Sequence, residues 1–234
     1  LGGRIGIAAK RNRHDPAIQE ADRLTWRIEP AWKGEVGYIV GGGTSLLEQN
    51  LELIRDKKVI AINSSYAAVP WAQYVVFADM RWFLHHRQKL MNFGGKIIAC
   101  TSVSHASGPP NLVNVIRKTS LGLATDTHTL MVKNTTLTAG INLAVHLGVA
   151  KIVLLGIDQK AGPDGKIHHH PPHPWKVTAN CWSRQQTDLP KVAEDLTALN
   201  IECVNASPGS ALTIWPIVRL EDHVAAADPV ARVA

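Results

Sequence analysis

Short apolar runs that stop at glycine or polar residues recur along the chain, separated by stretches of helical spacing. Val36–Val40 is the first sharp run and stops at Gly41-Gly42-Gly43, after which Leu46, Leu47, Leu51 and Ile54 recur at helical spacing through residues 45–56. That pattern predicts strand, glycine turn, helix. Residues 59–62 end at Asn63-Ser64-Ser65 and residues 74–78 end at Asp79, so both read as buried strands with polar residues at their carboxyl ends. Residues 81–93 predict a helix, 96–100 a strand and 111–118 a short helix behind Pro109-Pro110. The rest of 102–128 is rich in Ser, Thr and Gly and reads as a mobile loop over a site. Residues 130–133 predict a short strand, and 138–147 a buried helix that starts at Thr138-Ala139-Gly140 and ends at Gly148. The clearest central strand is 152–157, ending at Asp158. A helix over 188–199 follows, capped by Asp188 with Pro190 in its first turn, and a last strand over 201–204 ends at Asn205.

Buried strands alternating with helices imply parallel pairing, because parallel neighbours need crossover connections. The predicted fold is α/β, a Rossmann-like, mostly parallel sheet with helices on both faces. It forms a single nucleotide-binding domain over 34–222, with an N-terminal arm at 1–33, a His/Pro-rich insertion at 159–179 and a tail at 223–234. Ligands of such sheets bind beyond the carboxyl ends of the strands. Gly41, Asn63, Asp79, Asp158 and Asn205 all fall there.

Composition narrows the partners. With 234 residues, 45% of them hydrophobic, the chain can bury one sizeable core. A formal charge of +6 suits nucleotides, nucleic acid or acidic glycans without choosing among them. Lys10, Arg11, Arg13, Arg23 and Arg27 lack interleaved aromatics, so they read as a solvated face and nucleic acid is not indicated. Cys100, Cys181 and Cys203 are odd in number and form no C-x-x-C pair, which argues against a disulfide framework or a cysteine zinc site and for a reducing, cytoplasmic setting. No apolar run approaches the roughly 20 residues of a membrane span. A soluble protein is expected.

Four constellations carry candidate chemistry. In Gly41-Gly42-Gly43-Thr44-Ser45, missing Cβ atoms let backbone N–H groups approach a phosphate and the helix start adds a favourable dipole; a purely structural turn is the alternative. The second, His168-His169-His170-Pro171-Pro172-His173-Pro174-Trp175, clusters imidazoles suited to general acid or base work, to a metal, or to neither in a plain surface loop. Thr138-Ala139-Gly140 could offer N–H groups to a second phosphate or a base edge, although ordinary capping by Thr138 explains it equally. Asp158 could bind a ribose hydroxyl or a metal, or simply cap a turn. Finally, Asn205-Ala206-Ser207-Pro208-Gly209 is a polar turn whose Ser207 could face the ligand. Among Trp71, Trp82, Trp175, Trp182 and Trp215, core or wall positions are the default, with base stacking open to one.

Taken in order, Val40 to Leu46, Ala61-Ile62-Asn63, Thr138-Ala139-Gly140 with Leu147-Gly148, residues 152–158 and residues 205–212 form one layout. It resembles the superfamily of lipooligosaccharide-type bacterial sialyltransferases, motility accessory factor glycosyltransferases and 6-hydroxymethylpterin diphosphokinase-like proteins. The likeness is greatest to phage- and prophage-encoded members of unassigned reaction, whose His-x-His-x-x-His-Pro pattern is matched by His168, His170, His173 and Pro174. The resemblance implies nucleotide contacts at Gly41, Gly43, Thr44, Ser45, Asn63 and Gly140, and a general base at His170 or His173; Gly42 and Ser64, beside these at the same strand ends, are counted with the expected nucleotide site. Thr44 stands where the family usually has Pro, Ala139 stands where it usually has Ser, and the sialyltransferase lid has no counterpart here.

The leading expectation is therefore a glycosyltransferase using a nucleotide sugar, with a CMP-sugar favoured as donor and a His activating an acceptor hydroxyl. A Mg²⁺-dependent diphosphokinase-like phosphoryl transferase, with Asp79 or Asp158 as metal carboxylate, is the second reading. A non-catalytic, phage-associated nucleotide-binding protein is the third.

Overall fold

A computed structural model describes residues 25–103, 108–175 and 181–226. Its centre is a seven-stranded sheet in the order β5-β4-β3-β2-β1-β8-β9, with every neighbouring pair parallel. The strands are β1 (Val36–Val40), β2 (Lys58–Ile62), β3 (Tyr74–Phe77), β4 (Lys96–Ala99), β5 (Leu112–Asn114), β8 (Lys151–Leu155) and β9 (Glu202–Asn205). β6 (Ile116–Lys118) and β7 (Thr129–Met131) form a separate parallel pair. The helices are α1 (Met80–Leu90), α2 (Thr136–Leu147), α3 (Cys181–Gln186), α4 (Leu189–Ala198) and α5 (Leu220–Ala226).

The apolar runs are continuous because both faces of the sheet are covered. Ile39, Ile60, Ile62, Ile152 and Leu154 enter one core cluster together with α2 and α4. Their neighbours Tyr38, Val40, Val59, Ala61, Val153 and Leu155 point the other way, into a cluster shared with α1. Successive side chains of a strand alternate faces, so a strand buried on both sides needs apolar residues at every position.

Strand order reverses between β1 and β8: β2 to β5 add outward on one side of β1, and the chain then crosses back to lay β8 and β9 on the other. Loops leaving two such strands diverge to opposite faces and open a crevice. Gly41 follows β1 and Asp158 lies shortly after β8, so both stand at that crevice.

Several expected elements differ. Residues 45–56 are not an α-helix but two 3-10 turns, Thr44–Glu48 and Leu51–Ile54, the second restarted by the Asn50 side chain accepting from the Glu52 N–H. Residues 111–118 form β5 and β6 rather than a helix, because Leu112 and Val113 pair with Ile97 and Ile98. Outside those strands the described residues of 102–128 are turns and irregular backbone, and residues 104–107 lie outside the described ones. α2 begins before Thr138: Thr135 is its cap, accepting from the Leu137 N–H at 3.2 Å. Of the expected arm, residues 1–24 lie outside the described ones, while Ile28 and Trp32 are buried in the core. α5 crosses the expected boundary at residue 222.

Candidate functional site

Each glycine after β1 makes room for a different neighbour. A Cβ on Gly41 would lie 2.3 Å from Ile157 Cδ1, and one on Gly43 would lie 2.4 Å from the Asp158 carboxyl group. A Cβ on Gly42 would meet His168 Nδ1 at 3.3 Å, and the Gly42 carbonyl accepts from the His169 N–H at 3.0 Å. The glycine turn is thus the floor on which the turn after β8 and the histidine loop both rest.

Its donors are largely engaged within the protein. The Gly41 N–H donates to Leu155 O and the Gly43 N–H to Gly156 O, both at 2.7 Å. The Asp158 carboxylate accepts from the Ser45 N–H at 2.9 Å, the Ser45 hydroxyl at 2.5 Å and the Thr44 hydroxyl at 3.3 Å. The anion held by Thr44 and Ser45 is therefore the protein's own carboxylate, and no α-helix begins there to add a dipole.

Above this floor opens a pocket of about 340 Å³. Gly41, Gly42, Gly43, Asn63, Ser64 and Asp79 line it. Asp158, His168, His170 and His173 line it as well. Asn63 turns the corner after β2 at φ +51°, a left-handed conformation that Asn tolerates better than most residues. Asp79 caps α1, its Oδ1 accepting from the Arg81 N–H at 2.8 Å. Trp82, Trp175 and Trp182 supply aromatic wall, Lys160 a cation, and residues 134–137 the start of α2.

Other expected site residues serve the fold. Thr138 and Gly140 lie inside α2, buried, and Gly140 lets the helix approach Ile62 and Ile39 at 3.2 and 3.4 Å from its would-be Cβ. Asn205 and Ser207 are fully buried; the Asn205 side-chain NH₂ donates to Leu212 O at 3.3 Å and Ser207 Oγ accepts from the Ile157 N–H at 2.8 Å. These two lock the end of β9 to the end of β8, and neither is among the residues lining the pocket.

The histidine loop packs ring on ring. His168 and His170 stack with centroids 4.8 Å apart, His170 and His173 lie 4.9 Å apart, and His173 stacks on Trp175 at 4.6 Å and 2°. Burial, joined by repulsion from neighbouring imidazoles, pushes His168 and His169 down to about 4. His170 and His173 are lowered by burial too; the Pro171 carbonyl opposes this at His170, and the nearby Asp79 charge opposes it at His173. At neutral pH the loop is uncharged and its ring lone pairs are available. His170 Nδ1 lies 2.8 Å from the Pro171 carbonyl, which can only accept, so the proton sits on Nδ1 and Nε2 is left as the basic nitrogen.

Sequence reasoning missed the second histidine pair. His85 and His86 on α1 come within 6.5 and 5.9 Å of His173, and Trp82 stacks on His86 at 4.6 Å. The adjacent histidines just beyond a strand-end Asp were a usable signal. Among the described residues, no group of three or more His, Cys, Asp or Glu is arranged to hold a metal ion, and no helix is long and apolar enough to cross a membrane.

No protein-family model matches the chain, and no curated protein matches it in sequence. Among solved structures, a mammalian sialyltransferase in complex with Gal-beta-1-3GalNAc-ortho-nitrophenol aligns over 84% of this chain and 80% of its own, at 11% identity and a TM-score of 0.34. A likeness of that size establishes neither fold nor function. The fold rests on the strand order and pairing given above.

Proposed function

We propose that the protein is a nucleotide-sugar-dependent glycosyltransferase whose donor lies in the crevice between β1 and β8 and whose general base is His170. The observation that carries this reading is the meeting, in one pocket at the sheet's reversal point, of strand-end polar residues and a neutral histidine loop. The volume of about 340 Å³ is within the ~300–1,000 Å³ range of small-molecule sites. The ordered motifs that resemble sialyltransferase-like proteins support a CMP-sugar as donor.

In the proposed step His170 Nε2 takes the acceptor hydroxyl proton as the acceptor oxygen bonds to the anomeric carbon. The bond from that carbon to the nucleotide phosphate oxygen breaks, and its electron pair leaves on the phosphate. Lys160 and the positive end of the α2 dipole would meet the charge that develops there. The phosphate contacts are assigned to these groups because the Gly41, Gly43 and Ser45 N–H groups of the glycine turn are already engaged. The magnesium-dependent alternative fits less well, since both Asp158 oxygens accept hydrogen bonds and Asp79 caps a helix.

The test is transfer or hydrolysis of CMP-, UDP- and GDP-sugars by the whole chain and by His170→Ala. The reading expects turnover of at least one donor, reduced about 10²–10⁴-fold in the variant, as for loss of a general base. Turnover of none, or an unchanged rate in His170→Ala, would overturn it.

A further inference from the structure

Ser64 is 4% exposed and lines the pocket, yet its hydroxyl is already approached by two protein nitrogens. Trp82 Nε1 donates to Ser64 Oγ at 2.9 Å, and His86 Nε2 lies 3.4 Å from the same oxygen. On the far side of that imidazole, Tyr66 Oη lies 3.0 Å from His86 Nδ1. Tyr66 and His86 are 7% and 9% exposed.

The directions of these bonds follow from what each group can do. Indole N–H only donates, so one lone pair of Ser64 Oγ is taken. A buried phenol proton needs an acceptor, and among the described residues the one within reach of Tyr66 Oη is His86 Nδ1. If Tyr66 donates to Nδ1, the neutral ring carries its proton on Nε2 and donates it to Ser64 Oγ. The second lone pair is then taken as well. What remains is the serine proton, for which the described residues leave no acceptor, so it is offered to the pocket that Ser64 lines.

We propose that Tyr66, acting through His86, holds Ser64 as a one-way hydrogen-bond donor, so that the pocket recognises an acceptor oxygen or ring nitrogen of its ligand at that point and disfavours an N–H there. Trp82 and His86 are positioning residues; Ser64 makes the contact. Two further observations agree. Burial raises the Tyr66 phenol, which keeps its proton. Burial first, then the charges of His85, His173, Lys89 and His170, hold His86 down to about 4, so the ring stays neutral and has a tautomer to choose. The reverse tautomer would turn the serine proton inward and leave the phenol proton buried without an acceptor.

The inference rests on the nucleotide reading for its first probe, CMP, and not for its tautomer. In nitrogen-15 spectra of the free protein, His86 is expected protonated at Nε2 and bare at Nδ1; the opposite assignment would overturn the proposal. Ser64→Ala is expected to weaken CMP binding about 10-fold, which corresponds to ~1.4 kcal/mol, while Ser64→Thr, which keeps the hydroxyl, stays within about 3-fold of the parent. Tyr66→Phe is expected to weaken binding in the parent and to add nothing in the Ser64→Ala background, a coupling that general loss of packing would not produce. Equal affinity in Ser64→Ala, or additive effects, would contradict the proposal. If CMP does not bind the parent, the nucleotide reading fails; the tautomer and the same variants read with inorganic phosphate still decide this one.

Discussion

Gly42 and Gly43 stand side by side in the turn after β1, and alanine should affect them differently. At Gly43 the new methyl group would sit 2.4 Å from a carboxylate pinned by Ser45 and Thr44, so something well ordered must move. Gly43→Ala is expected to destabilise the fold by about 1–3 kcal/mol, the usual cost of overpacking. At Gly42 the nearest atom is a ring nitrogen of His168, 3.3 Å away on a side chain that can shift, and Gly42→Ala should cost under ~1 kcal/mol. Asp158→Ala removes the acceptor of the buried Ser45 N–H and hydroxyl and should cost about 2–3 kcal/mol. Urea denaturation of the three variants checks the order. That the glycines mark a turn at a strand end was legible in the sequence. Their reason was not, because Asp158 and His168 lie more than a hundred residues away and only the reversal of strand order brings them back to β1.

At the scale of elements, legibility followed the hydrophobic period where tertiary contacts agreed with it. β1, β2, β3 and β8 were readable because burial on both faces writes a nearly continuous apolar run into each, and β9 from the short pair Cys203-Val204 that stops at Asn205. Residues 111–118 were misread because prolines ahead of the segment suggested a helix start, whereas Val113 and Ile116 are β-branched and pair as strands. Residues 45–56 had helical spacing, but the anchoring of Ser45 to Asp158 and the side-chain turn at Asn50 divide it.

The histidine loop belongs to this scale and carries a pH prediction. His86, His168 and His169 are each held down to about 4 by burial, below the ordinary value of about 6.5. Below pH 6.5 the unfolded chain gains protons that the folded chain refuses, so stability rises with pH across that interval. Acidification from pH 6.5 towards 4 should lower the urea midpoint steadily, and above 6.5 these groups should leave it unchanged. A midpoint flat between pH 6.5 and 4.5 would show that the rings are solvated. The same burial, acting on His170, places the acid limb of any base-catalysed rate below pH 6.5.

For the molecule as a whole, the parallel order β5-β4-β3-β2-β1-β8-β9 explains why residues scattered from Gly41 to His173 share one pocket. Strand ends predicted the edge of the sheet on which the site lies. They could not tell which polar residues face the crevice: Asn63, Ser64 and Asp79 do, while Asn205 and Ser207 bond inward across β9 and β8. The central claim, that this crevice receives a nucleotide, is tested most directly by titrating CMP into the whole chain while following tryptophan fluorescence, since Trp82, Trp175 and Trp182 line the pocket. The account predicts a saturable one-site change that Gly42→Leu, which puts a side chain between the floor and His168, weakens at least about 10-fold, ~1.4 kcal/mol, without unfolding the protein. No saturable change in the parent, or equal binding by a folded Gly42→Leu, would contradict it.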